Sequence, residues 1–198
     1  KKARKEWIEK LENNEIASER ANYRKFEDII LRDLLGFPEE LIRDSKDQNN
    51  VEYAFKDPNG VWAVSIEAKG TNTKDLFANQ HRGVHQKTPI RQTFDNLRRF
   101  ESIEYGICTN YQKFVLMVYG LKFSQFQEFD FLSTKDDDEK LKEFIGIFSY
   151  APLVIERKIG EYKSESDNVD TRLTDEFYKL FHETRLMLIK SFSDKPGV

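Results

Sequence analysis

Val61-Trp62-Ala63-Val64-Ser65-Ile66-Glu67-Ala68-Lys69-Gly70 reads as a buried β-strand that ends in a carboxylate and an ammonium two residues apart. Alternate residues of a strand share a face. Glu67 and Lys69 therefore project together, and Trp62, Val64, Ile66 and Ala68 are expected on the opposite face. Burying charge is costly unless it is paired or bound. Two opposite charges closing an apolar strand therefore point to a site.

Just before this strand, Asp57-Pro58-Asn59-Gly60 has turn chemistry: Pro presets its φ, and Asn-Gly tolerates left-handed geometry. Residues 51–56 are strand-like, so 51–69 reads as a hairpin. Antiparallel pairing brings Glu52, at the start of the first strand, beside Glu67 and Lys69 at the end of the second. Carboxylates and waters suit Mg²⁺. A lysine beside them can orient a water or stabilise developing negative charge. The plainer alternative is an exposed Glu–Lys pair of little energetic weight.

Working outward, residues 2–13 suggest a charged helix with Trp7, Ile8 and Leu11 inward. A second helix is expected from an N-cap at Ser18 to Leu35, stopped by Gly36 and Pro38, with Tyr23, Phe26, Ile30 and Leu34 as its buried stripe. Glu27 lies at the margin of that stripe, either solvated or aimed into the site. A short helical turn begins near residue 39. Thr88-Pro89 opens a helix that runs to about Glu101. Tyr105 to Thr109 and Phe114 to Tyr119 read as strands, Phe129 to Leu132 as an edge strand, and residues 136–148 as a helix with acids at its N-terminal end. The expected class is α/β, a mixed central sheet flanked by helices.

The length favours one domain, residues 1–160, followed by a polar linker and a helix near residues 174–192 in the segment 161–198. The chain starts at Lys1 rather than Met, as an excised piece of a longer protein would. A net charge of −3 argues against a generic basic nucleic-acid coat protein, so the distribution of charge matters more than its sum. The lone cysteine, Cys108, sits in an apolar run and reads as a core residue. With no disulfide possible within the chain and no apolar run of the roughly 20 residues a membrane span needs, a cytoplasmic location is expected. Between Lys69 and Glu101 lie Arg82, Lys87, Arg91, Arg98 and Arg99, suited to DNA phosphates or, alternatively, to a solvated helix face. His81 and His85 have helical spacing, but Gly83 intervenes and no third zinc ligand is evident.

Ile66-Glu67-Ala68-Lys69 after a hairpin resembles the PD-(D/E)XK nuclease superfamily. The resemblance is closest to nuclease domains of restriction enzymes, either fused type IIG restriction–methylation enzymes or type I restriction R subunits. Tyr23 to Leu35 resembles the family's first helix, with Glu27 matching its acid. Val51-Glu52-Tyr53-Ala54-Phe55 resembles the first-acid strand. Ile90-Arg91-Gln92-Thr93-Phe94 resembles the helix whose Gln marks the restriction branch. Gly106-Ile107-Cys108-Thr109-Asn110 resembles the branch's Gly-x-x-Thr-Asn turn. The match spans residues 18–120, and Leu173-Thr174-Asp175-Glu176-Phe177-Tyr178 is similar to a connector toward a methyltransferase domain.

The resemblance implies a restriction-endonuclease-like core and a Mg²⁺-dependent deoxyribonuclease, with Mn²⁺ able to substitute. Glu52 and Glu67 would be metal ligands, with Glu27 auxiliary. Lys69 and Gln92 would act at the reacting centre. Double-stranded DNA would be the substrate, and methyltransferase and specificity domains or subunits the partners. One departure stands out: the family's Pro-Asp is Val51-Glu52 here, an acid one methylene longer, and Mg²⁺ is demanding in its geometry. Asp44 and Asp47 are possible substitutes. Rival readings are a nuclease fold that binds DNA without cutting it, and a repair or junction-resolving nuclease.

Overall fold

The computed structural model describes residues 1–44, 51–79, 87–100, 103–120 and 126–157. Arg82, His81, His85 and Asp47, and the linker and connector helix expected in 161–198, lie outside the described residues. The fold is mixed α/β. Its elements are α1 (Lys2–Glu12), α2 (Tyr23–Lys25), α3 (Glu39–Asp44), β1 (Tyr53–Lys56), β2 (Trp62–Ala68), α4 (Pro89–Leu97), β3 (Tyr105–Thr109), β4 (Lys113–Val118), β5 (Phe126–Asp130) and α5 (Asp138–Phe148). The described strands form one sheet in the order β1-β2-β3-β4-β5. Only β2 and β3 pair in parallel, because α4 carries the chain back between them. No helix among the described residues is long and apolar enough to cross a membrane.

β1 and β2 form the expected hairpin, with Tyr53 opposite Ile66 and Ala54 opposite Ser65. The Asp57 carboxylate accepts from the Asn59 and Val61 amides, which closes the turn. The pairing then shifts by one residue, since Phe55 faces Val64 but Lys56 faces Trp62. This bulge overturns the face expected for Trp62. An extra residue reverses the alternation. Trp62 joins the α4 side, under the Lys56 ammonium and edge-on to Phe100.

Helix α4 covers this face. The Thr88 hydroxyl accepts from the Arg91 amide as the N-cap, with Pro89 at the first position. Ile90 and Leu97 pack with Ala54, Leu76, Cys108, Val115 and Met117. Gly106 lets the helix approach: a Cβ there would stand 3.0 Å from Thr93 Cγ2. Burial pushes the Cys108 thiol up to about 12, so it is a packed, unreactive group.

The other face is aromatic. Phe114 contacts Phe26, Phe131, Phe144 and Phe148, and Trp7 meets Phe26 and Tyr111. The Trp7 indole donates to the Tyr111 carbonyl at 2.8 Å, which ties α1 to the β3–β4 turn. Large rings bury much apolar area per residue, so this layer is densely packed.

The second helix departs from its expected form. It opens with a 3₁₀ turn at Arg20–Asn22, becomes α2, and widens into a π-helix over Phe26–Arg32 before Gly36 ends it at φ +73°. Ser18 is not an N-cap; its carbonyl accepts from the Asn22 amide side chain. In the wider coil Phe26, Glu27, Ile29, Ile30 and Leu31 are buried, while Tyr23 and Leu34 are half-exposed. The predicted stripe used α-helical spacing and missed this rotation.

Candidate active site

The site stands where β2 ends. Lys69 Nζ lies 2.5 Å from Glu67 Oε1, 3.3 Å from Glu52 Oε1 and 3.6 Å from Glu19 Oε2. Glu67 is 1% exposed and Lys69 7%. The hairpin register continued one residue beyond Tyr53 sets Glu52 opposite Glu67, so both acids face the α4 side. The convergence expected of Glu52, Glu67 and Lys69 is therefore present.

Glu19 is a third acid that sequence reasoning missed. Its position depends on Gly70, where a Cβ would meet Ala17 O at 2.1 Å and the Glu19 amide at 2.7 Å. Only glycine lets the segment before α2 lie against the strand end. The Thr71 and Asn72 amides then donate to the Ile16 and Ala17 carbonyls. The Tyr23 hydroxyl donates to Glu19 Oε1 at 2.9 Å, and the Tyr111 hydroxyl donates to the Glu19 carbonyl at 2.8 Å. A signal was present in the spacing of Glu19 and Tyr23, one helical turn apart.

The segment resembling a Gly-x-x-Thr-Asn turn is a structural anchor for this end of the sheet. Asn110 Oδ1 accepts from the Gln112 and Lys113 amides, and its side-chain amide donates to the Thr73 carbonyl. The Thr109 hydroxyl accepts from the amide of Tyr111, which sits at φ +71°. The Lys69 amide donates to the Thr109 carbonyl at 2.7 Å.

Electrostatically the cluster holds more acid than base. Burial, then the adjacent Glu52 carboxylate, pushes Glu67 up to about 9 against the pull of Lys69. Burial works against the Lys69 ammonium, but Glu67, Glu52 and Glu19 together hold its pKa above the ordinary lysine value. The ammonium of Lys69 is thus favoured in its charged form, while the Glu67 carboxyl is pushed toward its protonated form. Burial and the nearby acids also hold Tyr23 and Tyr111 protonated as donors.

The other expected residues lie elsewhere. Glu27 is buried, and its Oε1 accepts from the Tyr53 hydroxyl at 2.9 Å. Tyr53 follows Glu52 and points to the aromatic face, and among the described residues the ion pairs of Lys69 are with Glu67, Glu52 and Glu19. Gln92 is half-buried on α4 and does not bond to the acids among the described residues. One turn later Asn96 does: its Nδ2 donates to Glu67 Oε2 at 3.5 Å. Lys87 and Arg91 both pair with Asp95, and Arg98 lies over the Phe94 ring. Arg98 and Arg99 are exposed. Asp44 is exposed at the end of α3.

The donor set fits a hard divalent cation in part. Glu52 Oε2 is a buried oxygen without a hydrogen-bond donor among the described residues, as a ligand oxygen would be, while Glu67 Oε1 faces the Lys69 ammonium. Among the described residues no group of three or more His, Cys, Asp or Glu side chains is arranged to hold a metal. Mg²⁺, which keeps several waters, needs only one or two carboxylates from the protein. Comparison with protein-family models, curated proteins and solved structures finds no match to this chain.

Proposed function

We propose that this chain is the nuclease domain of a restriction–modification enzyme, of type IIG or type I, that hydrolyses DNA phosphodiesters with Mg²⁺. The observation that carries the reading is Lys69 standing beside both Glu67 and Glu52 at the end of a buried strand. The PD-(D/E)XK resemblance supports the same reading.

In this reading Glu52 and Glu67 would hold the ion. Bound there, Mg²⁺ would supply positive charge to the phosphate and acidify water. The Lys69 ammonium orients the attacking water and stabilises negative charge on the phosphate as the new P–O bond forms and the ester P–O bond breaks. Glu19 keeps Lys69 turned toward the acids, the auxiliary place first expected of Glu27. Arg98 and Arg99 offer exposed charge to the DNA backbone. Duplex DNA is the substrate, and methyltransferase and specificity domains or subunits of a cytoplasmic restriction–modification system are the partners.

The test is cleavage of plasmid DNA by the wild-type chain within its parent enzyme, with Mg²⁺ or Mn²⁺. Lys69→Ala should abolish cutting while circular dichroism still reports a folded domain. No metal-dependent cleavage by the wild type under permissive conditions sinks the reading.

A second reading, a DNA-binding module of the same fold without chemistry, is favoured by the longer acid Glu52 where the resembled family has Asp. Calorimetric titration with Mn²⁺ separates the two. Preference for branched over intact duplex DNA would point instead to a repair or junction-resolving nuclease.

A further inference from the structure

Asn96 is 1% exposed, on the face of α4 that packs against the sheet. A buried amide is costly without partners, and polar groups placed there are normally bonded. Among the described residues its Oδ1 has no partner, and the one hydrogen bond of this side chain runs from Nδ2 to Glu67 Oε2. The Glu67 carboxylate is thereby held from two sides. Asn96 approaches Oε2 from the helix, while Lys69 approaches Oε1 from the strand end. A carboxylate turns easily about its last bond. Contacts on both oxygens restrict that rotation and leave Oε1 directed at Lys69 and Glu52.

We propose that Asn96 is a positioning residue for Glu67, orienting its carboxylate so that Oε1 is presented to the cation beside Lys69. The proposal rests on the metal-dependent reading of the site. Groups that orient a ligand from behind are worth about 10- to 100-fold in metal affinity. The residue acts through Glu67 and does not touch DNA, so its loss should lower kcat and leave KM for DNA unchanged.

The experiment is Mn²⁺ titration of the 198-residue chain, followed by electron paramagnetic resonance of the free ion. Wild type, Asn96→Leu and Asn96→Asp are compared, with thermal melts as the check on folding. Asn96→Leu keeps the volume and removes the donor. Asn96→Asp keeps the shape and puts an acceptor against Glu67, and it carries the test alone if the leucine variant does not fold. Both variants are expected to bind Mn²⁺ about 10- to 100-fold more weakly. Wild-type affinity in a folded variant overturns the proposal. Tighter binding by Asn96→Asp also overturns it, since the position would then contribute charge rather than orientation. A wild-type chain that binds Mn²⁺ and cuts DNA, with variants that do the same, sinks the role of Asn96 alone. A wild type that binds no Mn²⁺ removes the nuclease reading together with the proposal.

Discussion

Glu67 and Lys69 are two residues apart in sequence, and their Oε1 and Nζ atoms meet at 2.5 Å with the Glu67 side chain wholly removed from solvent. Burial and the neighbouring Glu52 nevertheless hold the Glu67 carboxyl near 9 rather than 4.5. Folding raises this pKa, so between those values the folded chain keeps a proton that the unfolded chain releases. The group's contribution to stability is full below about 4.5 and is lost as pH rises through about 9.

Metal-free stability should therefore fall between pH 5 and pH 8.5, with a slope of up to about 1.4 kcal/mol per pH unit from this group. Urea denaturation across that range measures it. Glu67→Gln, which is neutral at every pH, should flatten the slope. An unchanged slope in that variant would locate the proton elsewhere.

Gly70→Ala should be strongly destabilising, because the new Cβ meets backbone atoms of Ala17 and Glu19 that cannot swing aside. A loss of about 2–4 kcal/mol is expected, as for other overpacked or strained positions. Gly60→Ala offers a contrast, since nothing lies within 4 Å of its Cβ position and only its φ of +81° opposes the change. Denaturation midpoints of the two variants decide the order.

Glu19 and Glu27 should separate by function. Glu19→Gln removes a charge facing Lys69 and should reduce metal-dependent cleavage with little loss of stability. Glu27→Gln weakens the bond from the Tyr53 hydroxyl on the aromatic face. That change keeps an acceptor and should cost about 1 kcal/mol, with Mn²⁺ affinity unchanged. The opposite pattern would restore Glu27 as the auxiliary acid.

If the exposed arginines contact phosphates, Arg98→Ala and Arg99→Ala should each reduce the slope of log K against log salt by about 0.9. Lys87→Ala should change it less, because Asp95 already engages that ammonium at 2.6 Å. Fluorescence anisotropy on duplex DNA across a salt series is the measurement.

Much of the fold was legible in the chain because its signals are local. Asp57 to Gly60 form the turn, Thr88 and Pro89 start α4, and Gly36 stops the second helix, each through its own backbone preferences. The pairing of the acids followed from the hairpin alone. Other features were not local. The bulge carries Trp62 across the sheet to Phe100, a contact between residues far apart in the chain. The π-helix that buries Glu27 sets Phe26 against Tyr53 and Phe114, again distant in the chain. No periodicity in the sequence announces either one.

By itself, then, the sequence determined the hairpin and the meeting of Glu52, Glu67 and Lys69, because residues joined by a tight turn have few ways to pair, but not the register shift near the turn. Only the tertiary structure decided which further groups reach Glu67 and Lys69. Glu19 arrives because Gly70 admits a distant backbone segment, and Asn96 arrives because Gly106 lets α4 close on the sheet. Both depend on long-range close approach, which is set by the volume that glycine leaves empty and not by any pattern along the chain.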